Sequence, residues 1–483
     1  MPIRVRAAAL LAGGALIAAP ALADDLRGAL VSTYQTNPTL QAARANQRAT
    51  DEGVPIAKAQ GRPSVSADVT YTEFFKKSES GFSVSPDRSL GAGVDLGVPI
   101  YSGGAVKNSV RGAETRVVAG QADLRATESA IFSQAVAAYM DVILAEAVVG
   151  LNANNVDVLD VNVRATSDRY EIGDLTRTDV AQSEARLALA RGDLRTARSN
   201  LIGAREHYIQ VVGREPGKLD PPPPLPGLPA TVEEAEQIAL DANPDLIAAK
   251  ERSRAAGYDV RVAGAGRLPR VSVFTGADYS DSLGSIDTSA IPGVTFSQRQ
   301  TTAQAGVRAS IPLFQGGLPA AQRRQAQARE GAALEQQIGT EREVIAQVRA
   351  AYASWQAANA IIVTNQTAVD AATLSLEGVR AENSVGNRTI LNVLDAEQEL
   401  LQSQVRLVTA RRNAYVAGFT LLAAMGKAEA RDLGLDGGPL YDPQTNYRRV
   451  RNKWFDWESD PAPKARSTRT VDTPAQSGEI LGK

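Results

Sequence analysis

The fold is indicated by a motif that occurs twice, first as Val98-Pro99-Ile100-Tyr101-Ser102-Gly103-Gly104. It is matched within 310–317, where Ile311-Pro312 and Gly316-Gly317 fall in register at an offset of 213 residues. The same offset aligns four more identical pairs: Tyr139 with Tyr352, Gly173 with Gly386, Glu184 with Glu397, and Gly213 with Gly426. Upstream, Asn37-Pro38 and Asn243-Pro244 align at an offset of 206. A nearly constant offset over this length predicts two tandem structural repeats.

Composition and the duplication divide the chain into five predicted segments. They are a signal peptide over 1–23, a first repeat over 24–214, a proline-rich linker over 215–230, a second repeat over 231–430 and a C-terminal extension over 431–483. Each repeat is predicted to run helix, two strands, long helix, helix. The predicted strands lie at about 64–75, 89–101, 270–281 and 301–314. The extension is predicted to be largely irregular or disordered, and disorder is expected beyond Trp457.

The N-terminus has the pattern of a secretory signal peptide. Arg4 and Arg6 precede an uncharged apolar stretch that closes on Ala21-Leu22-Ala23, a small-x-small cleavage pattern. The apolar core is too short for a membrane anchor and ends at a cleavage site. We therefore expect an exported protein.

The composition argues against most enzyme and metal chemistry. The 483 residues include no cysteine and one histidine, and Lys+Arg 52 against Asp+Glu 54 gives a net charge of -2. Without cysteine there is no disulfide, thiolate metal site or N-terminal lipid anchor. A balanced charge does not suggest nucleic acid binding. We predict no enzyme activity, no cofactor, no metal site and no nucleic acid partner.

The predicted strands alternate strictly between apolar and polar residues. In the first, Val65, Val69 and Tyr71 alternate with Asp68 and Thr70, and the other three behave alike. Period two over roughly 9–11 residues fits a transmembrane β-strand, although a half-buried soluble sheet alternates in the same way. Export and a polar, glycine-rich second face favour a barrel. Because four strands cannot close one, several protomers are needed, and the residues alone allow a dimer, a trimer or a tetramer.

Long helices follow the strands in both repeats. No proline occurs over 105–170 or 320–383, so each stretch predicts a rod of roughly 100 Å. Gly173 and Gly386 break the rods, and a second amphipathic helix follows each break, which predicts two αα-hairpins with glycine tips. A swivel from barrel strand to tunnel helix is predicted in each repeat. Its residues are Pro99, Gly103 and Gly104 in the first repeat and Pro312, Gly316 and Gly317 in the second.

The second hairpin tip carries the most specific motif, Val385-Gly386-Asn387-Arg388-Thr389-Ile390-Leu391-Asn392-Val393-Leu394-Asp395-Ala396. With the duplicated halves, the two Asn-Pro pairs and the Pro-x-x-x-Gly-Gly strand exits, it resembles the TolC family of outer-membrane efflux and secretion channels. The resemblance covers about 24–426. It implies an α+β membrane protein: a trimeric twelve-stranded transmembrane β-barrel, four strands per protomer, continued by a long periplasmic α-helical coiled-coil barrel. It also implies the outer membrane of a Gram-negative bacterium as the location.

The resemblance further implies roles at the periplasmic entrance. Arg388 matches a tip arginine of the closing contacts, and Asp395 matches an aspartate of an acidic ring. Asn392 stands where a second ring aspartate is expected, and Asn383 replaces a tyrosine of the closing network, so weaker cation binding is predicted. The residues matched to gating positions are Thr178 and Asp179 in the first hairpin and Asn383, Arg388, Asn392 and Asp395 in the second.

By the same resemblance, the partners are two further copies of the chain, outer-membrane lipid, a periplasmic adaptor (membrane fusion) protein and an inner-membrane ABC or proton-driven transporter. The predicted function is export through an outer-membrane channel-tunnel, with drugs, small toxic molecules or type I secreted proteins as cargo. The alternative is a periplasmic coiled-coil adaptor or scaffold of a transport complex. Neither the cargo nor the kind of pump follows from the sequence.

Overall fold

The computed structural model describes residues 25–76, 85–286, 293, 296–435 and 440–480. The predicted signal peptide over 1–23 lies outside the described residues. The helices are α1 (Leu26–Thr36), α2 (Pro38–Asp51), α3 (Gly53–Ala59), α4 (Ala105–Glu171), α5 (Arg177–Val212), α6 (Val232–Ala242), α7 (Pro244–Gly264), α8 (Leu318–Ser384), α9 (Ile390–Ala424) and α10 (Pro443–Val450).

The described strands form one antiparallel sheet in the order β1 (Ser64–Glu73), β2 (Arg88–Tyr101), β3 (Arg270–Asp281) and β4 (Arg299–Ser310). The central pair, β2 with β3, joins the two repeats. The strand predicted to reach about 314 stops at Ser310, because its partner β3 begins opposite, at Arg270, and Pro312 has no N–H for a ladder bond.

The register gives the sheet one apolar and one polar face. Val65 pairs with Leu96 and Val69 with Ala92, so apolar residues lie opposite apolar residues. One position along, Asp68 pairs with Gly93, which in turn pairs with Asp278 of β3. Side chains alternate between faces along a strand, so the two sets are separated across the whole sheet. The apolar face is exposed: Val69 is 75% accessible.

The two long helices, α4 and α8, contain 67 residues each and are therefore about 100 Å long. In the half distant from the sheet, α5 and α9 run back beside them, and the lateral order is α5, α4, α9, α8. In the half nearest the sheet, the order is α2 and α3, then α4, α7 and α8. The helices that pack on α8 are α9 in the distant half, α7 near the sheet and the short α6.

The two Asn-Pro motifs join helix ends in the same way. The Asn37 Oδ1 accepts hydrogen bonds from the first turn of α2, while its Nδ2 donates to the Val211 carbonyl of α5 at 3.0 Å. Asn243 repeats this arrangement, capping α7 and donating to the Ala424 carbonyl of α9 at 2.9 Å. Each motif thus starts one helix and satisfies a carbonyl at the end of another.

The aligned tyrosines Tyr139 and Tyr352 hold the proline-rich linker. The hydroxyl of Tyr139 donates to the Asp220 carbonyl at 2.6 Å, and that of Tyr352 to the Ala230 carbonyl at 2.7 Å. Both rings lie in a hydrophobic cluster that also includes residues of α1, α6 and the end of α9. The linker is therefore fastened to both long helices.

Among the described residues, α4 is the one helix long and apolar enough to cross a membrane. Its apolar middle holds Phe132, Tyr139 and Val142, which are fully buried against other helices of the protein. The helix is more than three times as long as a bilayer core is thick. Of its most apolar 18-residue window, 39% is buried inside the protein.

The C-terminal extension is largely irregular beyond α10, and it packs on the helices. The disorder expected beyond Trp457 is not what the structure shows. Thr468 donates to the Gly213 carbonyl at 3.3 Å, the Gln476 amide to Glu206 at 3.1 Å, and Arg205 of α5 to the Ser477 carbonyl at 2.7 Å. Side chains of the helices hold a polar segment whose own composition predicts no core.

Candidate functional site: the hairpin tips and the sheet's polar face

The first hairpin tip lies between α4 and α5. Gly173 takes φ +85°, a left-handed conformation that ends α4. Thr176 caps α5 in a reciprocal capping box with Asp179. The Thr176 hydroxyl, followed by its backbone amide, holds the pKa of Asp179 below the usual carboxyl value. Asp179 thus fixes its own helix start, while Thr178 is exposed beside it.

The second tip has the same design with different residues. Gly386 takes φ +81°, and the Asn392 side chain accepts from the amide and hydroxyl of Thr389 at 3.3 and 2.9 Å. The Asn383 Nδ2 donates to the Arg388 carbonyl at 2.7 Å, and the Arg388 guanidinium donates to Glu382 at 2.7 Å. Within one protomer, Arg388 and Asn383 therefore brace their own loop.

Near the tips, an ion pair connects the two hairpins. Arg186 of α5 donates to the Asp395 carboxylate of α9, and both side chains are partly exposed. Sequence reasoning selected Asp395 and missed its partner, which lies 209 residues away. The positive charge of Arg186 reduces the negative electrostatic potential around the Asp395 carboxylate.

Sequence reasoning also missed a buried carboxylate that lies farther from the hairpin turn. Glu397 is 5% exposed and accepts hydrogen bonds from the Asn162 Nδ2 of α4, at 2.9 Å to both carboxylate oxygens. Arg380 of α8 donates to the same carboxylate at 3.0 Å. Glu397 therefore connects three helices. The available signal was its alignment with Glu184, which marked the repeat and assigned no contact.

The predicted swivels lie where strands become helices. Gly103 and Gly104 take φ +63° and +82°, and Gly316 and Gly317 take +60° and +82°. A Cβ on Gly103 would lie 2.7 Å from the Cβ of Leu268, so this turn also needs the missing side chain for space. Pro99 lies at an irregularity in the pairing of β2 with β3, just before the turn. Pro312 lies beyond the end of β4.

Three aspartates lie on the polar face of the sheet. A Cβ on Gly93 would be 3.0 Å from an Asp278 carboxylate oxygen and 3.1 Å from one of Asp68, so both carboxylates lean across this glycine. Asp95 leans over Gly276 in the same manner. If this face lines a pore, the carboxylates favour cations along it. Among the described residues, no group of three or more His, Cys, Asp or Glu is arranged to hold a metal ion.

Comparison with known proteins gives consistent matches. The family model described as "Outer membrane efflux protein" matches residues 29–214 and 236–427. Outer membrane efflux protein BepC of Brucella suis is 35% identical over 452 residues, which cover 93% of this chain and 96% of that protein. Outer membrane protein TolC of Escherichia coli is 26% identical over 84% of this chain and 83% of its own length. The solved structure of outer membrane protein VceC from Vibrio cholerae gives a TM-score of 0.71 at 23% identity, covering 83% of this chain and 96% of that one.

These similarities confirm several predictions. They are the resemblance to the TolC family, the α+β channel fold, the function of export and the outer membrane as its location. The roles of the individual tip and swivel residues stay predictions.

Proposed function

We propose, because this chain belongs to the outer membrane efflux protein family, that three copies close one β-barrel and continue it as a periplasmic tunnel. The observation that carries this proposal is a four-stranded sheet with an exposed apolar face and two edge strands, β1 and β4. An edge in hydrocarbon leaves backbone groups without partners. Since the strands alternate in direction, β4 is antiparallel to β1 of a neighbouring copy, so copies can join edge to edge.

The long helices support the same closure. Two exposed apolar side chains of α8, Val363 and Leu374, lie on one face of the helix, eleven residues or about three turns apart, opposite its buried residues. In a ring, this face meets the α5 flank of the next copy in the distant half and its α2–α3 flank near the sheet. The same threefold rotation then buries the exposed sides of α8 and α5 and pairs β4 with β1 of the next copy.

The protein so assembled is a conduit for export and contributes no catalytic step. Energy comes from an inner-membrane transporter, coupled through a periplasmic adaptor that docks at the hairpin tips. The family description and the 35% identical relative are both named for efflux, which supports efflux as the form of export. Transport through the conduit requires the tips to part.

The barrel is tested by placing a charge on each face of β1. Val69→Lys puts an ammonium on the apolar face and is expected to cost about 2–4 kcal/mol near the bilayer centre. Thr70→Lys, the matched control one residue on, puts it on the polar face and is expected to be tolerated. The measurement is the yield of heat-modifiable oligomer in detergent extracts of membranes. Equal yields, or extraction of the wild type without detergent, would support the scaffold instead.

The entrance is tested at the Arg186–Asp395 pair. Three Asp395 carboxylates around the axis would attract cations, and Arg186 would weaken that attraction. Arg186→Gln is therefore expected to strengthen block of single channels by divalent cations, and Asp395→Asn to weaken it. If block changes in the same direction in both variants, or in neither, Asp395 does not lie at the channel entrance.

A further inference from the structure

The C-terminal extension carries a cluster of exposed aromatic residues that neither export nor the repeat architecture requires. Trp454, Phe455 and Trp457 have 57%, 72% and 97% of their surface accessible. They lie in a short segment, residues 453–458, which we call the aromatic loop. Large apolar side chains that are exposed together mark a surface that contacts another molecule or a membrane.

The extension approaches the sheet in parallel with the first repeat. Asn446 of α10 donates to Asp51, the last residue of α2, at 2.7 Å. Farther along, the Lys58 Nζ near the end of α3 donates to the Arg451 carbonyl at 2.9 Å. The chain continues from α2 through α3 to β1, so residues 446–451 run beside it toward the sheet.

Arg62 holds the aromatic loop at the start of the sheet. Its guanidinium donates to the Lys453 carbonyl, and its Cζ lies 5.2 Å from the centre of the Trp454 ring. Arg62 lies two residues before Ser64, where β1 begins. This strand has 10 residues, the length with which a tilted strand crosses the hydrocarbon core of a bilayer. In a membrane-spanning sheet, Arg62 and Trp454 therefore lie at the boundary between lipid and periplasm.

The chain turns back directly after this level. Lys453 forms an ion pair with Glu458 at 3.2 Å, which closes the base of the aromatic loop. Two residues on, Asp460 accepts from Arg449 of α10 at 2.7 Å, so the chain lies beside α10 again. Residues 454–457 thus form the turn of a loop whose end points toward the sheet.

The charges around the aromatic loop are mainly positive. Lys58, Arg62 and Arg451 form no ion pair among the described residues, since their polar contacts are with carbonyl groups, an amide and rings. Of the two acids in the loop, Glu458 is paired with Lys453, and Asp456 has no ion-pair partner in the part of the chain that the structure describes. Three unpaired cations against one unpaired carboxylate favour an anionic surface.

We propose that the aromatic loop inserts into the periplasmic leaflet of the outer membrane, with its three rings among the headgroups and the three cations against acidic phospholipids. Tryptophan favours this zone because its ring is apolar while its N–H needs a polar partner. The inference rests on the proposed barrel, because only a sheet within the bilayer places the loop at a membrane surface. The loop gives each protomer a contact with lipid outside the barrel and helps to fix the height of the barrel in the membrane.

The test is the fluorescence of the full-length mature protein in vesicles of equal parts phosphatidylcholine and phosphatidylglycerol. Bromine atoms on the acyl chains of one lipid or the other quench tryptophans in contact with that lipid. One cation near the surface favours an acidic headgroup about fivefold, so quenching should be at least about twofold stronger with brominated phosphatidylglycerol. Trp355, the third tryptophan, lies about 55 Å along α8 from Leu318 and should not be quenched.

Matched variants separate the rings from the charges. Replacing both Trp454 and Trp457 by Phe leaves Trp355 alone, and brominated lipid should then have no effect. Arg451→Gln should bring the quenching by the two brominated lipids closer to equality. Arg342→Gln removes an exposed cation about 36 Å along α8 from its start and should leave the ratio unchanged. An unchanged ratio in Arg451→Gln, or equal quenching by both lipids in the wild type, would overturn the contact with acidic headgroups.

Flotation of heat-modifiable oligomer with the vesicles is measured first, because it separates this inference from the barrel itself. Failure to float would overturn the barrel, and the inference with it. If the protein floats but its tryptophans are quenched by acrylamide and not by brominated lipid, the barrel stands and the aromatic loop stays in water. Shielding from both quenchers would place the rings against the next copy of the chain. Either of these last two results would overturn the inference alone.

Discussion

Asn162→Ala tests how the tip is held closed. Glu397 receives one hydrogen-bond donor from its own hairpin, Arg380 of α8, and one from the other hairpin, Asn162 of α4. When the hairpins part, the first contact can persist while the second must break. Only an interaction that differs between two states shifts their equilibrium, so Asn162 should control gating and Arg380 should not.

The magnitude follows from burial. Glu397 is 5% exposed, and a hydrogen bond from an uncharged donor to a buried carboxylate contributes about 2 kcal/mol. Its loss in Asn162→Ala should move the closed-to-open ratio toward open by ~30-fold in each protomer. The exposed Arg186–Asp395 pair also crosses between hairpins, but solvent screening limits it to less than about 1 kcal/mol.

The assay is open probability of single channels in planar bilayers, with Arg380→Ala as the matched control. Both variants remove one donor from the same carboxylate, so both should lower the melting temperature. Only Asn162→Ala should raise resting conductance. Equal open probabilities in the two variants would refute the view that the bond between hairpins, and not the burial of Glu397, restrains the tip.

Three further perturbations have expected results. Gly386→Ala places a side chain at φ +81° and should cost about 1 kcal/mol in a melt, whereas Gly331→Ala, in the open interior of α8, should gain a similar amount. Burial raises the pKa of Glu128, so its stabilising effect is full below the ordinary carboxyl pKa and is lost as pH rises through the raised value. Glu128→Gln should therefore raise the melting temperature at pH 7 and leave it unchanged at pH 4. Arg205 is 1% exposed between Glu146 and the Ser477 carbonyl, so Arg205→Met should cost about 3–5 kcal/mol and expose the C-terminal segment to limited proteolysis.

Local chemistry explains what could be predicted from the sequence. Alternation of period two separates the sheet faces, and Gly173 and Gly386 mark the tips because few other residues adopt a left-handed turn. These features depend on residues that are close together in the sequence, so they can be predicted from a single sequence.

The missed contacts depend on how distant elements meet. The Arg186–Asp395 pair spans 209 residues, and the Asn162–Glu397 contact spans 235. Asn37 shows both kinds of contact. The Asn-Pro dipeptide predicts its cap on α2, whereas its hydrogen bond to the Val211 carbonyl depends on how α5 packs. A cavity lined by Arg44, Arg48 and Arg466 likewise joins α1, α2 and two parts of the C-terminal extension.

The two repeats place their aligned glutamates in different environments. Glu397 is buried between hairpins, whereas its repeat counterpart Glu184 is exposed on the flank formed by α5. The contact between α4 and α9 is held again higher up, where Arg412 donates to Asp141 at 2.7 Å. Below Asp141 about thirty residues of α4 remain, a lever of ~45 Å. A rotation of ~10° about the Arg412 contact would move the tip by ~8 Å and the Asn162 position by ~5 Å, enough to break its bond to Glu397 while the upper pair stays intact.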